Sequence, residues 1–332
     1  MHRFGRSVAG LLGALLVAVV LAGCDTRAPS TVAPAGPKAG FTTMAWWILL
    51  AVAGFVCIVI ITLTVLAAVV RRRTTSVKTG EGRTFVLVLG VIIPSLVFAG
   101  CFALGIVGLA STAEPATTPG LTIDVTGHQW WWAARYQGTA AVTANEIHVP
   151  VGTPVELRLR TADVIHSFWV PELMPKMDLL PRRVNKTWVT ADHPGRFRGE
   201  CAEYCGVQHA HMDFTVVAEP RAQFRSWLQQ QEQDAATPTT AAERHGLQVL
   251  TQASCATCHT VRGTSADGHV GPDLTHVGSR RMLAAGTIPN DTGHMSGWIA
   301  NSQAVKPGNL MPPQPISPRD LHDVVAYLQS LK

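Results

Sequence analysis

The sequence predicts a multidomain membrane protein: a two-helix transmembrane hairpin, then an outer domain rich in β-strand, then a helical last domain. Three observations carry that reading. Ala45 to Val70 and Phe85 to Ala110 are uncharged, and each is longer than the ~20 residues a helix needs to cross a bilayer. From Leu121 to about Ala218 the chain changes to short alternating runs such as "LTIDVTG", "PVELRLR" and "FTVVAEP", the texture of an antiparallel sandwich or barrel. The last segment ends in "SPRDLHDVVAYLQSLK", an amphipathic helix with a capping box and an early proline. Composition agrees: 47% of residues are hydrophobic and only 15% charged, an apolar balance for a soluble chain.

The N-terminus has a basic start at Arg3 and Arg6, an apolar stretch, and then "LAGC". It reads as a lipoprotein signal over residues 1–23, with Cys24 the lipidated residue. Residues 24–44 form a linker, and 45–110 the hairpin. The basic connection between the helices carries Arg71, Arg72, Arg73, Lys78 and Arg83 against Glu81, which places it in the cytoplasm. Both ends of the hairpin then face outward. The chain is expected in a bacterial cell membrane as a multi-pass protein in contact with lipid, its later domains on the outer face. Residues 111–120 are a second linker, 121–220 the β domain, 221–240 a helix and linker, and 241–332 the last domain. The linker "DAATPTTAA" predicts a tethered but mobile domain. The net charge of +5 is too mild for a nucleic-acid partner, and no basic block accompanies aromatic residues in the soluble part.

"CAEYCGVQHAHM", at 201–212, gathers soft ligands. Thiolate, imidazole and thioether together select copper. Two cysteines are one too many for a mononuclear blue-copper site, but two thiolates can bridge two coppers. Each copper then needs its own imidazole. The spacing offers Cys201, Cys205, His209 and Met212. His166, in a turn between strands, is the best second histidine, and the carbonyl of Glu203 a further donor. A zinc site would leave the methionine unused. A Cys201–Cys205 disulfide remains open outside the membrane. His211, His148 and His193 read as ordinary polar positions.

"GHQWWWAARY", "NEIHVPVGTPVELRLRTADVIHSFWVPEL", "PRRVN" and "GECAEYCGVQHAHM" together resemble cytochrome c oxidase subunit II, over roughly residues 40 to 220. The resemblance implies a cupredoxin-like β-barrel and a dinuclear Cu(A) centre held by His166, Cys201, the Glu203 carbonyl, Cys205, His209 and Met212. It also implies magnesium on the Glu203 side chain at the border with subunit I, near Asp178. Trp130, the first aromatic after "GHQ", takes the position where electrons arrive from cytochrome c. In a strand, Trp130 and Trp132 would share one face and Trp131 the other. The chain departs from the family before Pro94. Leu87 and Gly90 stand where a glutamate and a tryptophan are usual, and no acid lies between Thr84 and Ala110.

"CATCH", at 255–259, fits covalent haem c: Cys255 and Cys258 for the thioethers and His259 for the iron. A methionine sixth ligand raises the potential. Met311, between prolines in "KPGNLMPP", is preferred over Met295 and Met282. Pro272 resembles the proline whose carbonyl fixes the histidine ring. Residues 241–332 thus look like an all-α class I cytochrome c domain. The whole chain resembles subunit II of caa(3)-type oxidases. That implies an electron-transfer subunit of a haem-copper terminal oxidase, partnered by subunit I, other oxidase subunits, and a donor such as a cytochrome or the preceding respiratory complex. A Cu(A) subunit of a nitric oxide reductase and a membrane-anchored carrier without catalytic partner are the alternatives.

Overall fold

The computed structural model describes residues 29–70, 81–115 and 117–332. The signal, Cys24 and most of the basic connection lie outside the described residues. Helix α1 spans Pro37–Val70. The second apolar helix is built from α2 (Glu81–Leu87), a π-helical turn (Val88–Ile92) and α3 (Ile93–Ala113). Both display apolar side chains to their surroundings, as expected where lipid or partner helices replace water.

Helix α1 begins eight residues before the uncharged run, inside the stretch read as linker. The cause is packing against the β domain. Ala35 donates its N–H to Glu172 O at 2.7 Å, and its carbonyl accepts from Asp192 N–H at 2.8 Å. Pro37, with its preset φ, opens the helix. Lys38 is buried, donates to Thr187 Oγ1 at 2.7 Å, and lies 4.8 Å from the Trp188 ring centroid. The Trp188 indole N–H in turn donates to Thr112 O at 3.1 Å, so both apolar helices are tied to one corner of the β domain.

The β domain has ten strands in two five-stranded sheets. The first has β3 (Val142–Ala144), β2 (Trp131–Tyr136), β1 (Leu121–His128), β5 (Val155–Thr161) and β8 (Asn185–Val189) in that spatial order. The second has β4 (Glu146–Pro150), β10 (Asp213–Glu219), β9 (Gly195–Cys201), β6 (His166–Val170) and β7 (Met174–Leu179). Each sheet is mixed: β1 pairs parallel with β5, and β4 with β10. The purely antiparallel expectation fails because the chain crosses to the other sheet for β4 and returns as β5 in the original direction. Alternation along β1 and β5 sends Ile123, Val125, Leu157 and Leu159 inward. The core gathers around Trp132, which packs edge-on against Phe168 and Phe214. Edge strand β4 turns the N–H and C=O of His148 toward the fully buried Tyr136 hydroxyl, which accepts from one at 2.8 Å and donates to the other at 2.9 Å. Helix α4 (Arg221–Gln231) stacks Trp227 on the His148 ring, with centroids 4.0 Å apart.

In the last domain, α5 (Ala241–Gln252) crosses α9 (Pro318–Ser330), with α6 (Cys255–Cys258), α7 (Thr292–Ala300) and α8 (Ser302–Val305) between them. Thr240 and Glu243 form a reciprocal capping box on α5 that the sequence reading missed. At α9, Ser317 caps the Asp320 N–H, and its hydroxyl donates to the Asp320 carboxylate at 2.7 Å. Val324, Val325 and Leu328 are buried on the apolar face of this amphipathic helix, and Tyr327 joins them. The domain is not purely helical: Met282–Leu283 and Ile288–Pro289 form a short antiparallel ladder.

Nor does this domain float on its linker. Arg262 donates to Gln231 O, Gln233 O and, across the domain boundary, to Ala140 O at 2.6 Å. Asp213 N–H reaches Ala285 O at 3.1 Å, and Gln208 Nε2 reaches Pro307 O at 2.6 Å. These side-chain and backbone bonds, invisible in a composition-based reading of "DAATPTTAA", dock one domain on the other.

Candidate metal centre and haem pocket

Strand β9 ends at Cys201, and β10 begins just after Met212, so the soft-ligand loop is the connection of an antiparallel hairpin. Cys201 N–H bonds Met212 O at 3.2 Å and closes it. Gly206, at φ +117°, makes the reversal that an L side chain rarely adopts. The loop folds its donors inward. Cys201 Sγ and Cys205 Sγ are 3.8 Å apart. His166 Nδ1 is 3.8 Å from Cys201 Sγ, and His209 Nδ1 is 3.7 Å from Cys205 Sγ. Met212 Sδ stands 3.8 Å from Cys205 Sγ, and Glu203 O stands 3.2 Å from Cys201 Sγ. His166, Cys201, Cys205 and Met212 are buried.

The sulfur separation is far beyond the ~2.05 Å of a disulfide. It leaves room for metal ions bound to both sulfurs at about 2.3 Å, a typical metal–thiolate distance. The two imidazoles approach different sulfurs, so the donor set divides between two positions and fits a dinuclear copper centre. His166 opens strand β6 rather than sitting in a turn. Its Nε2 meets Asp163 Oδ1 at 2.8 Å, which turns Nδ1 toward the sulfurs. Burial alone would lower the His166 pKa, but the Cys201 sulfur and the Asp163 carboxylate outweigh it and raise it. The two thiols titrate as a pair. Cys201 is held low, first by the S–H of Cys205 and then by His166, while Cys205 is pushed up.

Sequence reasoning missed Asp163 and Gln129. Asp163 stands three residues before His166, a spacing that could have marked it. Gln129 Nε2 and Trp130 Nε1 both donate to Cys205 O, at 2.7 and 3.0 Å. Trp130 sits in the turn before β2 and is buried at 9% exposure. Trp132 is also buried, while Trp131 stacks on His128 with centroids 4.2 Å apart. The Glu203 carboxylate is partly exposed, 4.0 Å from Lys176 Nζ. Asp178 lies on β7, paired in register with Ser167. His211 is exposed, and His193 lies beside Phe197.

A cavity of about 640 Å³ lies where the last domain meets the β domain. Cys255, Cys258, His259 and Met311 line it, and so do Trp130 and Trp131 of the β domain. Its volume is within the ~300–1,000 Å³ range of cofactor sites. His259 Nδ1 donates to Pro272 O at 2.7 Å, which leaves Nε2 free. Burial keeps the His259 pKa below its usual value, so the ring stays neutral, as a metal ligand must. Gly271 lies flat on this ring: a Cβ there would come 2.5 Å from Cε1. The Met311 backbone is fixed by Asn309 Oδ1 and by donors from Ser302 and Gln303. Met282 and Met295 also line the cavity, but Met295 is buried in the core and accepts from Gln329 at 3.6 Å. The residues present fit a covalent haem c.

A β domain with a two-position soft-ligand loop, docked to a domain built for haem c and joined to two apolar helices, defines a membrane-anchored electron-transfer protein with two redox centres. Residues 139–219 match the family described as "Cytochrome C oxidase subunit II, periplasmic domain", and residues 244–332 match "Cytochrome c". The chain is 40% identical over 211 residues to a cytochrome c oxidase subunit 2 of Alkalihalophilus pseudofirmus, covering 63% of this chain and 61% of that one. It is 27% identical to the Bacillus subtilis protein of that name, across 96% of both. The periplasmic domain of subunit II of cytochrome oxidase of Bradyrhizobium japonicum is 32% identical over 35% of this chain and 95% of that one, with a TM-score of 0.33. The chain is thus similar to cytochrome c oxidase subunit II over its β domain and to cytochrome c over its last domain, and it spans about three fifths of the length of the first curated relatives it matches. The two domain matches imply Cu(A) and haem c as cofactors.

Proposed function

We propose that the chain is the electron-transfer subunit of a respiratory haem-copper terminal oxidase. The observation that supports this best is the shared wall: the haem cavity is lined by Trp130, whose indole N–H bonds the carbonyl of Cys205. Haem c and Cu(A), when bound, would supply the one-electron carriers between an external donor and the haems of subunit I, the site of oxygen reduction, and Trp130 would stand between the two.

Cys255 and Cys258 attach the haem, and His259 and Met311 ligate its iron. His166, Cys201, Glu203 through its carbonyl, Cys205, His209 and Met212 hold the copper pair. When bound, these groups supply one-electron carriers at two adjacent stations. The chain's own residues keep them rigid and dry. Asp163 orients His166, the Pro272 carbonyl orients His259, and the buried sulfurs exclude water. The Glu203 side chain would hold magnesium at the border with subunit I, with Asp178 as a nearby acid and Lys176 as the neighbour of Glu203 in the isolated chain. Residues 1–23 are removed as a signal, and Cys24 carries lipid. We propose the domain boundaries read from the sequence, with the first helix starting at Pro37.

The test is purification of the tagged chain with its partners in mild detergent, followed by oxygen uptake with a reduced donor. Cyanide-sensitive uptake, abolished by Cys201→Ser, is the expected result. Nitric oxide consumption without oxygen uptake would select the reductase instead, a reading favoured by the missing acid at Leu87. Neither activity, with no haem-bearing partner recovered, would leave an anchored carrier.

A further inference from the structure

Lys306 is a buried cation with no acidic side chain bonded to it among the described residues. It is 2% exposed and lies in the segment leading to Met311. Its ammonium donates to three backbone carbonyls: His211 O at 2.7 Å, Trp130 O at 3.2 Å and Ala284 O at 3.2 Å. Two of these belong to the β domain and one to the haem domain. A lysine has three N–H donors, so this site satisfies all of them. A buried ammonium without such partners is strongly disfavoured. The full set exists only when the two domains are docked.

The carbonyls it selects are informative. Trp130 is the residue between the cavity and the copper loop, and its indole already bonds Cys205 O. His211 stands between His209 and Met212. The next residue, Pro307, accepts from Gln208, the neighbour of His209. Asp213, whose pKa burial raises, lies close enough to attract the ammonium. The same docking leaves Trp130 only 9% exposed, with the haem domain over it.

We propose that Lys306 is a positioning residue that latches the haem domain onto the Trp130 turn and the copper loop. Electrons then reach Cu(A) only from the chain's own haem, at fixed geometry, and an external redox protein has no direct access to Trp130. This rests on the electron-transfer reading above. In the step concerned, ferrous haem c loses one electron and becomes ferric, and the oxidised copper pair gains that electron.

The experiment uses the intact complex. A ruthenium photoreductant injects one electron into haem c, and haem reoxidation and copper reduction are followed optically at several glycerol concentrations. In the natural protein the transfer is expected to be one phase, independent of viscosity. Lys306→Met should slow it by about tenfold or more, the factor set by losing even one of its three charge-assisted hydrogen bonds, and make it viscosity-dependent. Haem and copper spectra and midpoint potentials should stay unchanged, which a defect at either centre would not allow. Unchanged kinetics with intact spectra would overturn the latch. Should Lys306→Met lose either spectrum, Arg262→Met replaces it. That variant removes the Ala140 contact and touches neither metal loop, and it too must give slower, viscosity-dependent transfer or the proposal falls. Absence of both centres from the natural protein would overturn the functional reading as well, an outcome distinct from failure of the latch alone.

Discussion

Replacing Tyr136 by phenylalanine removes a single oxygen, yet it should cost more than most surface changes in the chain. The hydroxyl closes the free edge of β4, pairing both the N–H and the C=O of His148 at 2.8 and 2.9 Å. Phenylalanine keeps the ring packing on Phe224 and Trp227 but leaves a donor and an acceptor in a buried place without partners. Each orphaned group costs about 1–3 kcal/mol, so the pair costs about 2–6 kcal/mol. At ~4 °C or more per kcal/mol, the midpoint should fall by at least about 8 °C. The assay is thermal loss of the copper-loop absorption in the full chain, at one scan rate for all variants. Tyr327→Phe is the internal comparison, because that hydroxyl is buried without a partner among the described residues. Its loss should leave the midpoint of the haem domain unchanged or raise it. A Tyr136→Phe midpoint within about 2 °C of the natural protein, or equal effects at the two tyrosines, would refute the reasoning.

Gly271→Ala forces a methyl group against the His259 ring at 2.5 Å, so the haem-to-protein absorbance ratio should drop sharply while the copper spectrum stays in place. Met311→Ala should retain covalent haem but lower its midpoint potential by on the order of 0.1 V, within the ~0.8 V that axial ligands span. A spectroelectrochemical titration reads this directly, and an unchanged potential would point to Met282 or Met295 as the ligand.

The parts of the protein that are local in sequence were legible. The copper loop and "CATCH" each compress their chemistry into a few positions, and the two apolar runs announce themselves by length. His166 could be named but not placed, because its place on β6 depends on pairing with β7 and β9. The parallel pairs were hidden for the same reason: a strand's own pattern does not say which neighbour it will meet. The early start of α1 depends on Glu172, Thr187 and Asp192, all more than a hundred residues away. Lys306 was the least legible. A lysine in a proline-rich loop reads as solvated, and only the docked domain supplies the carbonyls that bury it.

The corner where Lys38 and Trp188 meet has a mechanical consequence. Ala35 is hydrogen-bonded to the turn between β6 and β7, Lys38 to β8, and the carbonyl of Thr112 to Trp188. The first helix cannot change its tilt without loading both sheets, nor the second without loading β8. Helices adapt to bilayer thickness mainly by tilting. Membrane thickness therefore bears on the height and inclination of the copper loop above the lipid, while the docked haem domain moves with it.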